Sequence, residues 1–320
     1  MNILKFISHN LYEYDYLFCN NLYSFRKNKT VKKAIHNLSK ISNLKNMYGY
    51  KVDISNYFNT INIEILLSNL KKDIKDKELY KLFENILTNE FIKYNNKKIK
   101  EQKGVMAGIP ISAFLANYYL KDMDHYFSKK RLVYLRYSDD IIIFCNTLEE
   151  LNENKKELID FLDKYDLKIN KEKEKIYYPG DLIEFLGFSF KNNKRDISNN
   201  SFAKIKRKIK RHSRKMRKKV ECENLTPEKA LKRTIKKFNR KFFITKNNSI
   251  CWSTWYFSYI NTKDSLKKID KYYQDNLRYI VTGKHNKKNF KKVPYKYLKQ
   301  LGYRSLVNEY YLFLNMKSDM

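Results

Sequence analysis

Cysteine is scarce: Cys19, Cys145, Cys222 and Cys251 are scattered through 320 residues with no CxxC pair. That excludes a zinc ribbon and a disulfide framework, and it suggests a reducing compartment, the cytoplasm. No run of about 18 apolar residues occurs, which excludes a transmembrane helix. The first twenty residues are interrupted by Asn2, Lys5, Glu13 and Asp15, so they do not read as a secretory signal. No repeat of solenoid period is visible. Glycine (7) and proline (4) are also few, as AT-rich coding DNA would produce. The remaining shortage is of acid: 34 Asp and Glu face 67 Lys and Arg, a formal charge of +33. With 42% hydrophobic and 32% charged residues the chain is globular, and its length suggests two or three domains. A cytoplasmic protein this basic meets a polyanion.

Compositional bias alone would raise lysine everywhere, and position separates that reading from a functional one. Residues 1–50 hold 8 basic and 2 acidic side chains, and residues 51–200 hold 26 and 24. Residues 201–320 hold 33 and 8, so 25 of the 33 net charges sit in the last 120 residues. A charge this local implies a local partner.

Hydrophobic periodicity predicts an α+β region up to about residue 200 and a helical region beyond it. Residues 1–47 read mainly as helix, and Lys51–Asn56 as a short strand before an amphipathic helix from Asn62. Phe91–Lys100 reads as a hairpin turning at Asn95-Asn96. Gly104–Pro110 is a loop opening a helix that continues through Met123. Leu132–Tyr137 and Ile141–Cys145 are apolar strands flanking Ser138-Asp139-Asp140. Leu148–Tyr165 is helical, Leu167–Ile169 and Lys175–Tyr178 are short strand candidates, and Glu184–Phe190 is a strand or tight hairpin. A domain boundary falls at about Ser198–Ser201, in the polar stretch Asp196–Asn200.

The chemistry resides in the carboxylates. Asp139 and Asp140 stand between two apolar runs, where a bare acidic pair is costly unless it turns outward or binds cations. Asp53 ends another short apolar segment. Most Asp-Asp pairs are solvated hairpin turns. Three carboxylates gathered at one sheet edge would repel, however, unless hard divalent ions such as Mg²⁺ neutralised them. Two such ions can clamp the attacking and leaving oxygens of an in-line phosphoryl displacement.

Arg136-Tyr137-Ser138-Asp139-Asp140 between apolar strands resembles the YxDD box of reverse transcriptases. Other segments extend the resemblance in the right order. Asn21–Ile35 is similar to a finger segment of group II intron-type enzymes, and Val52–Asn62 to their first carboxylate motif. Gly104–Leu120 is similar to the template and nucleotide-binding motif, Leu167–Ile176 to the LxLNxxK motif, and Glu184–Phe190 to the primer grip. These ordered matches cover about 170 residues. The resemblance implies an RNA-directed DNA polymerase that uses two Mg²⁺ ions, with Mn²⁺ as a substitute. It implies a right-hand fold: reduced fingers in residues 1–48, a palm with an antiparallel sheet in 49–197, and a helical basic thumb in 198–320.

Carried over by position, Asp53, Asp139 and Asp140 are catalytic metal ligands, with Ile54 completing the metal and nucleotide site. Phe58 matches the aromatic that rejects a ribose 2′-hydroxyl. Ala107 and Gly108 fall in the nucleotide motif, Arg26 is a triphosphate contact, and Lys173 matches a lysine near the leaving pyrophosphate that can act as general acid. Phe185, Leu186 and Gly187 form the primer grip. Lys206, Arg207 and Lys210 head a segment, Ser201–Val220, with eleven Lys and Arg in twenty residues, suited to duplex phosphates. Trp252, Trp255, Tyr256 and Phe257 read as core. The implied partners are an RNA template, a DNA or RNA primer and deoxynucleoside triphosphates, with no membrane.

Two departures bear on function. Met106-Ala107-Gly108 stands where the family usually has Pro-Gln-Gly, so the nucleotide-positioning glutamine is missing. The finger segment is reached after only 24 residues, so a non-coding RNA or a protein subunit is expected to complete the fingers. Ser112-Ala113 differs from the Ser-Gln of diversification enzymes, and Val281-Thr282-Gly283 lies too far downstream for the retron signature. A free-standing bacterial enzyme of the antiphage-defence kind is the nearest analogy. Two alternatives stay open: a template-independent or protein-primed DNA polymerase, and a non-catalytic, maturase-like RNA-binding protein.

Overall fold

Short runs rich in β-branched and aromatic residues build the central sheet. In this computed structural model, which describes residues 2–89, 91–94, 97–100, 104–106, 108–243 and 251–318, the chain forms two compact units, 1–181 and 182–320. The first unit opens with α1 (Asn2–Asn10), a 3-10 turn and α2 (Val31–Ser39), which Thr30 caps by accepting the Lys33 N–H. Then come β1 (Tyr48–Asp53), the single turn α3 (Tyr57–Thr60), α4 (Ile63–Asp73) and α5 (Lys77–Leu87). The hairpin β2 (Phe91–Tyr94) and β3 (Lys97–Lys100) follows, its Asn95-Asn96 turn lying outside the described residues. Next are α6 (Ser112–Tyr119), α7 (Lys121–Lys129), β4 (Val133–Tyr137), β5 (Asp140–Cys145), α8 (Leu148–Lys164) and β6 (Lys175–Tyr177).

Strands β4, β5, β1 and β6 lie in that order in one antiparallel sheet. Ile141, Ile142, Ile143 and Phe144 of β5 are all fully buried, so this strand is covered on both faces. The core joins Tyr50, Val52, Leu115, Tyr118, Tyr119, Phe127 and Leu158 from the strands and the helices α6, α7 and α8. The helix expected to run from Ile111 to Met123 is interrupted at Leu120 and continues as α7. Of Leu167–Ile169, expected as a strand, the sheet uses only a bridge between Ile169 and Ile54.

The second unit begins with a meander: β7 (Ile183–Phe185), β8 (Phe188–Lys191) and β9 (Lys194–Ile197). β9 falls in the stretch read as a polar boundary; its polar side chains lie at a sheet edge, while Ile197 is buried. Then follow α9 (Asn199–Cys222), α10 (Pro227–Phe243), α11 (Trp252–Tyr256), α12 (Asp264–Thr282), α13 (Asn289–Lys292), α14 (Tyr295–Gln300) and α15 (Leu306–Ser318). α9 buries Ile205, Ile209, Ser213 and Met216, one helical stripe, and leaves most of its cations outside. Tyr256 and Phe257 are core, as expected, with Tyr256 packed on Trp252 and Phe188.

Candidate active site

The three aspartates converge because of strand register. Asp53 is the last residue of β1 and pairs directly with Asp140, the first of β5. The β4–β5 turn places Asp139 alongside, its carbonyl accepting the Ile54 N–H at 3.0 Å. Ser138, in this turn, has a left-handed backbone (φ 58°), and it is held from both sides. Its N–H donates to Ser24 Oγ (2.9 Å), and its carbonyl accepts from Arg136 Nη1 (3.1 Å). Ser24 in turn donates to Asn117 Oδ1 (2.8 Å), and Asn117 Nδ2 donates back to the Ser24 carbonyl (2.7 Å).

Behind the turn lies a buried ion pair. Arg136 and Asp124 are each fully inaccessible to solvent, with Nε to Oδ1 at 2.7 Å, and Tyr134 donates its hydroxyl to the same carboxylate at 2.6 Å. Arg136 also donates to the Asn117 carbonyl at 3.1 Å. The carboxylate beside it holds the guanidinium charged despite complete burial. Arg136 heads the Tyr-x-Asp-Asp segment, but nothing local to it in the chain names Asp124 as its partner. The available signal was Asp124 on the apolar stripe of Leu120, Met123 and Phe127, an acid at a core position with a partner to be found.

Asp53 is nearly buried, 7% exposed, whereas Asp139 and Asp140 are partly accessible. Burial pushes the Asp139 carboxyl above the usual range, and the charges of Asp53 and Asp140 push it further. Asp140 is raised likewise by burial and by Asp53, with Lys51 opposing at 3.5 Å. Lys173 Nζ donates to Asp53 Oδ1 at 2.9 Å, which holds the ammonium above its ordinary range. Backbone bonds deliver it there: Asn170 N–H to the Asp53 carbonyl (2.7 Å) and Ser55 N–H to the Lys168 carbonyl (2.8 Å).

No three His, Cys, Asp or Glu among the described residues stand as a ready ligand cluster. In its chemistry the donor set still fits a hard cation: three carboxylates, no sulfur or imidazole, and mutual repulsion that such an ion would relieve. Lys173 occupies that role at Asp53.

Phe58 is half-buried on α3, edge-on to Tyr57 (5.8 Å between centroids) and Phe25 (6.4 Å). Tyr57 is buried and donates to the Ala116 carbonyl at 2.5 Å, fixing α3 on α6. Gly104, another residue the sequence reading did not single out, lies against this turn. A Cβ there would stand 2.2 Å from the Phe58 carbonyl oxygen, and the next residue, Val105, donates to that oxygen at 2.8 Å. Gly108 has φ 93° with open space around it, so its need is conformational. Ala107 lies outside the described residues.

Other expected site residues are placed differently. Arg26 turns inward: both guanidinium edges are spent on Asp15 (2.7 and 2.8 Å) and on the carbonyls of Cys19 and Leu22. It anchors the N-terminal segment. Ile54 is buried as a whole, and its N–H is spent on the Asp139 carbonyl at 3.0 Å. In the second unit Leu186 and Gly187 form the two-residue turn of the β7–β8 hairpin, both left-handed (φ 48° and 89°), and Phe185 is buried beneath it. On α9, Arg207 and Lys210 are exposed, whereas the Lys206 ammonium lies over the rings of Tyr272 (4.7 Å) and Phe202 (5.5 Å).

No curated protein matches the chain. Solved structures similar to it include apo telomerase from Candida tropicalis, at 14% identity and TM-score 0.49, covering 93% of this chain and 50% of that one. Telomerase from Candida albicans in complex with a TWJ fragment of telomeric RNA is similar at 13% identity and TM-score 0.48, covering 93% and 53%. The chain thus spans about half the length of these structures. Residues 2–190, more than half of the sequence, match the reverse transcriptase (RNA-dependent DNA polymerase) family, and the chain belongs to that family.

Proposed function

We propose that the chain is an RNA-directed DNA polymerase, extending a primer 3′ end with deoxynucleoside triphosphates on an RNA template. The observation that carries this reading is the register pair Asp53–Asp140 with Asp139 beside it, three carboxylates at one sheet edge in a reverse transcriptase family member. In this reading Asp53, Asp139, Asp140 and the Ile54 carbonyl would hold Mg²⁺. When bound, the ions activate the primer oxygen and stabilise the leaving pyrophosphate.

The chain's own residues do the rest. Arg136 and Ser24 hold the turn, so the Asp139 and Asp140 side chains need no reorganisation when charge develops. Lys173 neutralises Asp53 in the free protein. Its side chain is 58% exposed, so it can move to the departing phosphates and deliver a proton there. Phe58 lies beneath the sugar and excludes a 2′-hydroxyl. The basic face of α9, with the Leu186-Gly187 hairpin, holds the template–primer duplex through its phosphates. We assign residues 1–48 to the fingers, 49–197 to the palm and 198–320 to the thumb.

The test is primer extension by the full chain with Mg²⁺, on a defined RNA template annealed to a DNA primer. Asp139→Ala with Asp140→Ala should abolish nucleotide addition while the far-UV spectrum is kept. Undiminished addition by that variant would refute the assignment. The absence of the family glutamine beside Gly108 favours a second reading, template-independent addition. Products whose sequence ignores the supplied template would establish it.

A further inference from the structure

Residues 21–26 run along the edge of β4. The Tyr23 N–H donates to the Arg136 carbonyl (2.9 Å), and the Arg136 N–H to the Asn21 carbonyl (3.0 Å). Ser24 is fully buried and bonded to Ser138 and Asn117; Arg26 is buried and clamped by Asp15, Cys19 and Leu22. Both neighbours of Phe25 are therefore immobilised.

Phe25 itself has φ 52°, a conformation that bulky L-residues rarely adopt, and it is 46% exposed. Burial does not explain such a residue. A ring that served the core would be covered, and one that served nothing would not be kept in a strained backbone. Residues held this way cluster where geometry is functional. The ring meets Phe58 edge-on at 6.4 Å and Tyr137 at 6.3 Å. Phe58 follows Asp53 on one motif, and Tyr137 precedes Ser138-Asp139-Asp140 on the other. Phe25 is thus the wedge between the two aromatics that flank the carboxylates.

We propose that Phe25 is a positioning residue for sugar selection: its ring fixes the edge of Phe58 against Tyr137, so that the pocket rejects a ribonucleotide. The proposal rests on the reading that Phe58 faces the nucleotide sugar. A loosened Phe58 ring can tilt away and admit the 2′-hydroxyl, whereas a fixed one cannot. Phe25 acts through Phe58 and does not touch the reacting atoms.

The experiment is single-nucleotide extension by the full chain, with dTTP against UTP on one template–primer, comparing kcat/KM ratios for the unmodified protein, Phe58→Ala, Phe25→Ala, Phe25→Gly and Phe25→Tyr. Pocket discrimination of this kind is worth roughly 10- to 100-fold. Phe58→Ala should lose most of it. Phe25→Ala and Phe25→Gly should each lose at least about 5-fold of it, and Phe25→Tyr should retain it. Glycine suits φ 52°, so Phe25→Gly should melt about 2 °C above Phe25→Ala, although both lose selectivity. A merely structural role would make selectivity follow stability. If Phe58→Ala loses discrimination and both Phe25 variants keep it, the inference is overturned and the sugar-gate reading stands. If Phe58→Ala leaves discrimination unchanged, or the unmodified protein adds no nucleotide, the underlying reading fails and the inference with it.

Discussion

Asp124→Ala removes the partner of an arginine that has no contact with water. In the folded protein the Asp124 carboxylate accepts from Arg136 Nε, Arg136 Nη2 and the Tyr134 hydroxyl. With it gone, the guanidinium retains the Asn117 and Ser138 carbonyls, each at 3.1 Å, and no carboxylate. Leaving one member of a buried pair uncompensated costs about 3–5 kcal/mol. The orphaned Tyr134 hydroxyl adds about 1 kcal/mol. Set against a typical stability of about 5–15 kcal/mol, the loss is severe. Urea unfolding followed by circular dichroism should show the transition of residues 1–181 shifted to much lower urea. A companion variant, Asp124→Leu with Arg136→Met, removes both charges and should recover stability to within about 1–2 kcal/mol. It cannot recover the Arg136 Nη1 bond to Ser138, so nucleotide addition should stay impaired in a folded protein. The reasoning is refuted if Asp124→Ala costs under about 1 kcal/mol, or if the double variant is as active as the unmodified chain.

Three further outcomes follow from the same structure. Lys173→Met frees Asp53 of its 2.9 Å partner, so Mg²⁺ should raise the melting temperature at lower concentrations than in the unmodified chain; an unchanged titration midpoint would show that the lysine does not compete. Reversing Arg207 and Lys210 to Glu should each reduce the slope of log K against log salt for duplex binding by about 1, with Lys206→Ala doing less because its ammonium is engaged on Tyr272. Burial, with Lys237 and Lys215, pushes His212 down to about 4, from about 6.5 in an unfolded chain. Between those values the unfolded chain binds more protons, so stability is full above about pH 6.5 and declines toward pH 4. His212→Gln should flatten that decline by about 1–2 kcal/mol, discounted for screening at a half-buried site. Identical slopes in thermal melts from pH 7 to 4.5 would contradict it.

Much of the site was legible in the chain itself, because its signals are local. The short apolar runs on either side of Ser138-Asp139-Asp140 specify strand, turn and strand, and they require the aspartates to lie at the turn. The i, i+4 stripe of α9 follows from helical spacing within twenty residues. The imbalance of charge beyond residue 200 needed only counting. What local pattern cannot specify is which strands become neighbours. Asp53 and Asp140 are 87 residues apart and meet only because β1 pairs with β5. Lys173 reaches Asp53 across 120 residues because the chain after α8 returns beside β1. Arg26 reads as a triphosphate contact by position, since nothing in FRKNK shows that Asp15 and two carbonyls will enclose it. The left-handed backbone of Phe25 is equally invisible, being imposed by anchors on either side that are made with residues more than ninety positions away on one side and four to eleven on the other. Sequence therefore decided which groups could do chemistry, through short-range periodicity and composition. Tertiary structure decided which of them meet, because burying a charge or straining a backbone is affordable only when distant segments supply the partners.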